Sequence, residues 1–291
     1  MISSMSRLNG VRTFLLVGLA VVWFGESLMT GLRPLAEGWT RFWKMFPPAD
    51  PTLSAALYVT HAFEAPLKAG LFVLALFALA SRRPSVRTPL FVSMSLVPPI
   101  NVAFHFRAQG FPLVPTMIGT TLSALLWGAF LLTSEPAELS PPPREAGRLD
   151  VVGRTWFGVS ATVLTFLGLL SLLAPATVLY WQFPCLTDTF DAHRSELTSL
   201  TISTLAAGSH LTAVATAGWF ATARYRTSRT LRQAVTLSSL TLTVLVCALP
   251  LRQVVQQDGL GCARSLVFLP MVLLAAGWAV FAVVGRTRGD I

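Results

Sequence analysis

Apolar runs separated by short polar stretches dominate the chain, and eight of the runs are long enough to cross a bilayer. They lie near 12–31, 53–80, 89–106, 111–133, 155–179, 197–222, 232–251 and 265–285. A hydrocarbon core of about 30 Å is crossed by about 20 mostly apolar residues in a helix. Most of the runs lack the alternating polar face that a water-soluble element shows. The pattern therefore predicts an all-α polytopic membrane protein with eight transmembrane helices. The runs at 53–80 and 197–222 are longer than a bilayer needs and are expected to tilt or project.

The eight spans fall into two groups of four. Residues 134–153 are polar and contain Pro141-Pro142-Pro143, the composition of a semi-rigid cytoplasmic linker. It separates a first four-helix bundle, 1–133, from a second, 154–291. The halves share a plan. Arg12-Thr13-Phe14 opens one and Arg154-Thr155-Trp156 the other, and Trp39 and Trp181 fall at matching offsets. KAGLFVLALFALASRR, ending at Arg83, matches ATAGWFATARYRTSR, ending at Arg229. Proline is expected to interrupt the third helix of each half, at Pro98-Pro99 and at Pro250. An even number of spans per half gives both the same orientation, a parallel internal repeat about an axis along the membrane normal. In the first outer loop, residues 34–46 read as an interfacial helix. Leu35, Trp39, Phe42, Trp43 and Phe46 share one face, with Arg41 and Lys44 opposite.

Composition agrees with this reading, since hydrophobic residues make up 53% of the chain and charged residues only 12%. The net charge of +9 is sorted by side and is not a nucleic-acid footprint. With both termini in the cytoplasm, 14 basic residues fall inside and 7 outside, with Lys68 within a span. That is the positive-inside asymmetry of a protein of the cytoplasmic (inner) membrane. The Arg224–Arg232 group reads as a topology anchor contacting anionic lipid. Trp23-Phe24-Gly25-Glu26 offers no signal-peptide cleavage site, so the first span reads as a retained helix. Cys185 and Cys262 both fall in outer loops, where an oxidising compartment permits a disulfide; free thiols are the alternative. The bilayer is the expected partner. A membrane-protein partner or a second copy of the chain is compatible with the pattern.

Ionisable side chains inside spans are costly and usually face a partner or a cavity. Here they are Glu26, His61, Glu64, Lys68 and His210, with His105 at an outer end. His61, Glu64 and Lys68 fall within about 60° of one another on one helix. Glu64 and Lys68 form an i,i+4 pair in the favoured order. Asn101 and His105 lie on the third span above Pro98-Pro99, where missing N–H donors free carbonyls that need partners. Together these predict an outward-facing polar cavity in the first half, lined by Glu26, His61, Glu64, Lys68, Asn101 and His105. It would bind or pass a small molecule or a proton. The competing readings are an internal Glu64–Lys68 pair with no function, a metal site, and haem held by His61 and His105. Neither an H-x-x-x-H nor an E-x-x-H spacing is present, so no metal and no cofactor is predicted. No nucleophile elbow, P-loop or dinucleotide fingerprint occurs, and the balance leans away from an enzyme. The second half replaces His61, Glu64 and Glu26 by Ser203, Ala206 and Gly168, with His210 matching Lys68. It reads mainly as scaffold.

Glu64, the run AGLFVLALFALA, the basic end Arg82-Arg83 and FGESLMTGLRPL resemble the DoxX-like four-helix membrane proteins, in the first half better than in the second. The resemblance implies a tandem duplication of that unit and adds the alternative of a membrane redox enzyme or redox-complex subunit. A structural or assembly subunit is the remaining alternative.

Overall fold

The computed structural model describes residues 2–31, 51–81, 83–105, 148–184, 194–256 and 269–287, and these are helical with no strand among them. The helices are α1 (Ile2–Gly31), α2 (Pro51–Ala80), α3 (Pro84–Ser95), α4 (Val97–His105), α5 (Arg148–Leu173), α6 (Pro175–Gln182), α7 (Arg194–Ala223), α8 (Arg229–Gln256) and α9 (Leu269–Thr287). The fourth expected span, the interfacial helix at 34–46, Cys185 and Cys262 lie outside the described residues. So does most of the linker, although its end, 148–153, already belongs to α5.

Prolines set several of the breaks. Pro98-Pro99 supplies no N–H to the carbonyls one turn back, and the third span divides at Leu96 into α3 and α4. The hydroxyls of Ser93 and Ser95 bond back to the Pro89 and Val92 carbonyls, each at 2.8 Å, next to the break. Pro175 divides the fifth span at Ala174, where an unbroken helix over 155–179 was expected. Pro250, expected to interrupt α8, does not; the helix runs through it to Gln256. Pro66 also stays inside α2, midway between Glu64 and Lys68.

The long helices α2 and α7 pack on each other at the centre. Helix α1 lies along α2, as α5 lies along α7. Helix α8, from the second half, packs on α2, while α3 and α4, from the first, pack on α7. Helices from the first and second parts of the chain therefore pack into one core. Leu16, Leu71, Leu74, Leu90, Phe91, Met94, Phe157 and Trp278 are buried there.

Close approach is the common device at these seams. Gly168 and Gly208 face each other where α5 crosses α7; a Cβ on Gly208 would meet the Gly168 carbonyl oxygen at 3.0 Å. Ser238 on α8 donates to the Gly70 carbonyl on α2 at 2.8 Å, and Ser27 on α1 donates to the Ala65 carbonyl at 2.9 Å. Small residues let backbones touch and hydroxyls bond across the gap. Proline also recruits a cation. Pro89 cannot donate to the Ser85 carbonyl, and Arg224 fills the vacancy, its guanidinium Nη1 lying 2.6 Å from that oxygen.

Candidate functional site

Glu64 and Lys68 sit one turn apart on α2, on the side turned into the bundle. Their charged ends are 3.1 Å apart. Both residues are about as buried as the leucines around them, 5% and 4% exposed. The i,i+4 geometry makes the pair automatic once the helix forms. What the fold adds is its depth, between α1, α7 and α8.

The second half contributes to this place. His210 on α7 is fully buried and lies within electrostatic reach of both Lys68 and Glu64. Its Nδ1 bonds to the Ala206 carbonyl of its own helix, not across helices. Trp23 of α1 stands edge-on to the imidazole, with ring centroids 5.2 Å apart. Its indole Nε1 is buried without a hydrogen-bond partner among the described residues, as is the Ser203 hydroxyl, two turns before His210 on α7. An acid, an ammonium and an imidazole from α2 and α7 thus converge, with an indole from α1 beside them.

Of the six side chains expected to line one cavity, the structure brings Glu64 and Lys68 together. Asn101 is half-buried on α4, the helix that packs on α7. The side chains of Glu26, His61 and His105 lie outside the described residues. Trp23, Ser27, Pro66 and His210 were not expected at the site. Pro66 lies inside the very stripe that carries the charges, and the helix runs through it. His210 was legible as the counterpart of Lys68 in the second half.

An apolar cavity of about 90 Å³ lies between α2, α5, α6, α7 and α8, lined by residues that neighbour Glu64, Lys68 and His210 in sequence and not by those three side chains. Thr60, Phe63 and Leu67 reach it from the helix that carries Glu64, and Thr204, Ala207 and Leu211 from the helix that carries His210. Leu170, Val178 and Trp181 close the far side, with Gln182 and Ser171 as its other polar lining. The Thr204 and Ser171 hydroxyls donate to the Leu200 and Leu167 carbonyls of their own helices, so they offer the cavity only acceptor lone pairs. Such a cavity suits an apolar body. Among the described residues no three His, Cys, Asp or Glu side chains gather.

Among the described residues two stretches, Phe63–Ala80 and Asp150–Leu173, are long and apolar enough to cross a membrane, with mean hydropathy 1.7 and 1.9. Shorter apolar stretches occupy Thr13–Gly25 and Val272–Val283. No protein-family model matches the chain, and neither a curated protein nor a solved structure does.

Proposed function

We propose that this chain is a multi-pass membrane protein whose working centre is the buried Glu64–Lys68 pair with His210. In this reading the centre exchanges a proton, or contacts the polar group of a small molecule whose apolar part occupies the cavity lined by Phe63, Leu67 and Leu211. One observation carries the reading: a charged pair and an imidazole share the middle of a bundle whose outside is greasy. Phe14, Val21, Phe166, Leu173, Val280 and Val283 are among the most exposed large side chains. A surface of that kind suits acyl chains better than water. A bundle able to fill its centre with leucine has no packing reason to place ionisable groups there, and such groups inside membrane spans mark ion or substrate pathways by default.

The internal repeat supports the same centre. In this reading Lys68 and His210 are counterparts in the two halves, and the packing of α2 on α7 brings them to one place. The matched packing of α1 on α2 and of α5 on α7 fits the same pairing. The acid is present in one half only, so the duplication is functionally asymmetric. Glu64 is the proton-exchanging group, Lys68 its counter-ion and His210 the neighbour that senses both. An opening toward the outer face, along the end of α2 that carries His61, would connect the centre to water.

The full chain in proteoliposomes tests this. A pH indicator trapped in the lumen reports proton movement after an external acid step. The wild type moves protons above a lipid-only blank, and Glu64→Gln abolishes the difference while still inserting. Equal movement in both removes the proton-exchange role. A Glu64→Gln chain that cannot insert assigns the pair to structure instead.

A further inference from the structure

The basic cluster after α7 does two different jobs. Arg224 is tied to the Ser85 carbonyl. Arg232 bonds to the Tyr225 carbonyl and stacks on the Tyr225 ring, 4.8 Å from its centroid. Arg226 does neither. It lies at the mouth of a groove of about 590 Å³ between α5 and α7, together with Arg154 from the start of α5. Both arginines are exposed, and neither makes an ion pair with the described residues.

Below this cationic mouth the groove is apolar. It follows the α5–α7 seam from Val151 and Arg154 to Thr162 and Val163, about 18 Å from first to last at 1.5 Å per residue. Gly158 leaves its floor open, and the surface facing that glycine is the methyl group of Thr222, 3.7 Å from where a Cβ would stand. The hydroxyls of Thr162 and Thr222 donate to the Gly158 and Gly218 carbonyls of their own helices, each at 2.8 Å. The floor therefore shows carbon, and the guanidinium groups at the mouth are its cationic donors. The groove continues into the exposed face that carries Val159 and Phe166.

A phosphate with a hydrocarbon tail matches this layout end to end. We infer that the α5–α7 groove is a site for an anionic phospholipid, with its phosphate clamped by Arg154 and Arg226 and an acyl chain along Gly158. The charge complementarity is the deciding feature: paired guanidinium forks suit a phosphate diester, and an anionic headgroup adds to the attraction. The inference rests on the membrane reading, in which this end faces the cytoplasmic leaflet. It is independent of the Glu64 centre.

The test uses the purified full chain. Lipid retained in native mass spectra is counted with phosphatidylglycerol, phosphatidylcholine or inorganic phosphate supplied. Phosphatidylglycerol is retained over phosphatidylcholine by about thirtyfold, the worth of two arginines beside an anionic headgroup. R154Q/R226Q removes the preference and R83Q, at an exposed arginine near the same end of the bundle, keeps it. Gly158→Leu fills the floor and lowers retention with both arginines in place, and it decides the matter if the double variant does not fold. Equal retention of the two lipids, an unchanged preference in R154Q/R226Q, or full displacement of the lipid by inorganic phosphate overturns the site. Flotation with vesicles separates the two levels. A chain that floats without lipid preference sinks this inference alone, and one that never floats sinks the membrane reading with it.

Discussion

Breaking the Glu64–Lys68 pair by one charge and by both should have opposite consequences for stability. At the observed 3.1 Å the pair attracts by about 5 kcal/mol at the effective dielectric that fits protein interiors, against about 1 kcal/mol in water. That attraction offsets a desolvation cost of several kcal/mol per ion. Glu64→Gln keeps the shape and removes the attraction, leaving the Lys68 ammonium uncompensated in the core. The expected loss is about 3–5 kcal/mol, and Lys68→Met should cost a similar amount. Glu64→Met with Lys68→Met removes both desolvation costs. It should come within about 1 kcal/mol of the wild type, or exceed it. The assay is equilibrium unfolding of the full chain in mixed micelles, followed by far-ultraviolet circular dichroism, with the four proteins forming a double-mutant cycle. A stable double variant that no longer moves protons would mean that the pair exists for function. The reasoning fails if each single change costs under about 1 kcal/mol, the range of a water-exposed pair. It also fails if the double variant loses the sum of the two.

Other predictions follow from the helix seams. Gly208→Val pushes a branched side chain into the Gly168 carbonyl and should cost at least the about 1–3 kcal/mol of an overpacked core, read in the same unfolding assay. Gly277→Ala would drive its Cβ into the Trp156 ring and is expected to lower the melting temperature, with Trp156→Leu restoring part of the loss. Arg224→Met leaves the Ser85 carbonyl unpaired at Pro89 and should cost about 1.5–3 kcal/mol, the worth of a hydrogen bond to a charged group. Ser238→Ala removes one bond between α2 and α8 and should cost only about 0.6 kcal/mol, the average for such bonds in lipid.

Much of the helical layout was legible because apolar runs are long and proline has few options. The same residue nonetheless had three outcomes. Pro98-Pro99 divided a span as expected, since two successive missing donors cannot be bypassed. Pro175 divided one that the hydropathy alone joined. Pro66, Pro89 and Pro250 were absorbed within helices, and at Pro89 the reason is a partner 139 residues away in sequence that takes over the freed carbonyl. A long-range partner of that kind leaves no local trace. The Glu64–Lys68 pair was legible because its geometry belongs to one helix. Its company was harder to read. Trp23 and His210 arrive by the rotation of α1 and α7 about their own axes, which neighbouring helices fix and the hydropathy of a single helix does not. Hydropathy is also unequal along the chain: the Ser and Thr residues of α7, whose hydroxyls bond back to their own helix, leave this central helix less apolar than α2 or α5.

Infrared difference spectroscopy of the membrane-reconstituted full chain, stepped between acid and neutral pH, reaches the central claim most directly. A centre that exchanges protons from within the bundle gives a protonated-carboxyl band that is present in the wild type and missing in Glu64→Gln. Identical spectra from the two proteins would show that the Glu64 carboxyl never takes up a proton, and the account of a working centre at α2 would be wrong.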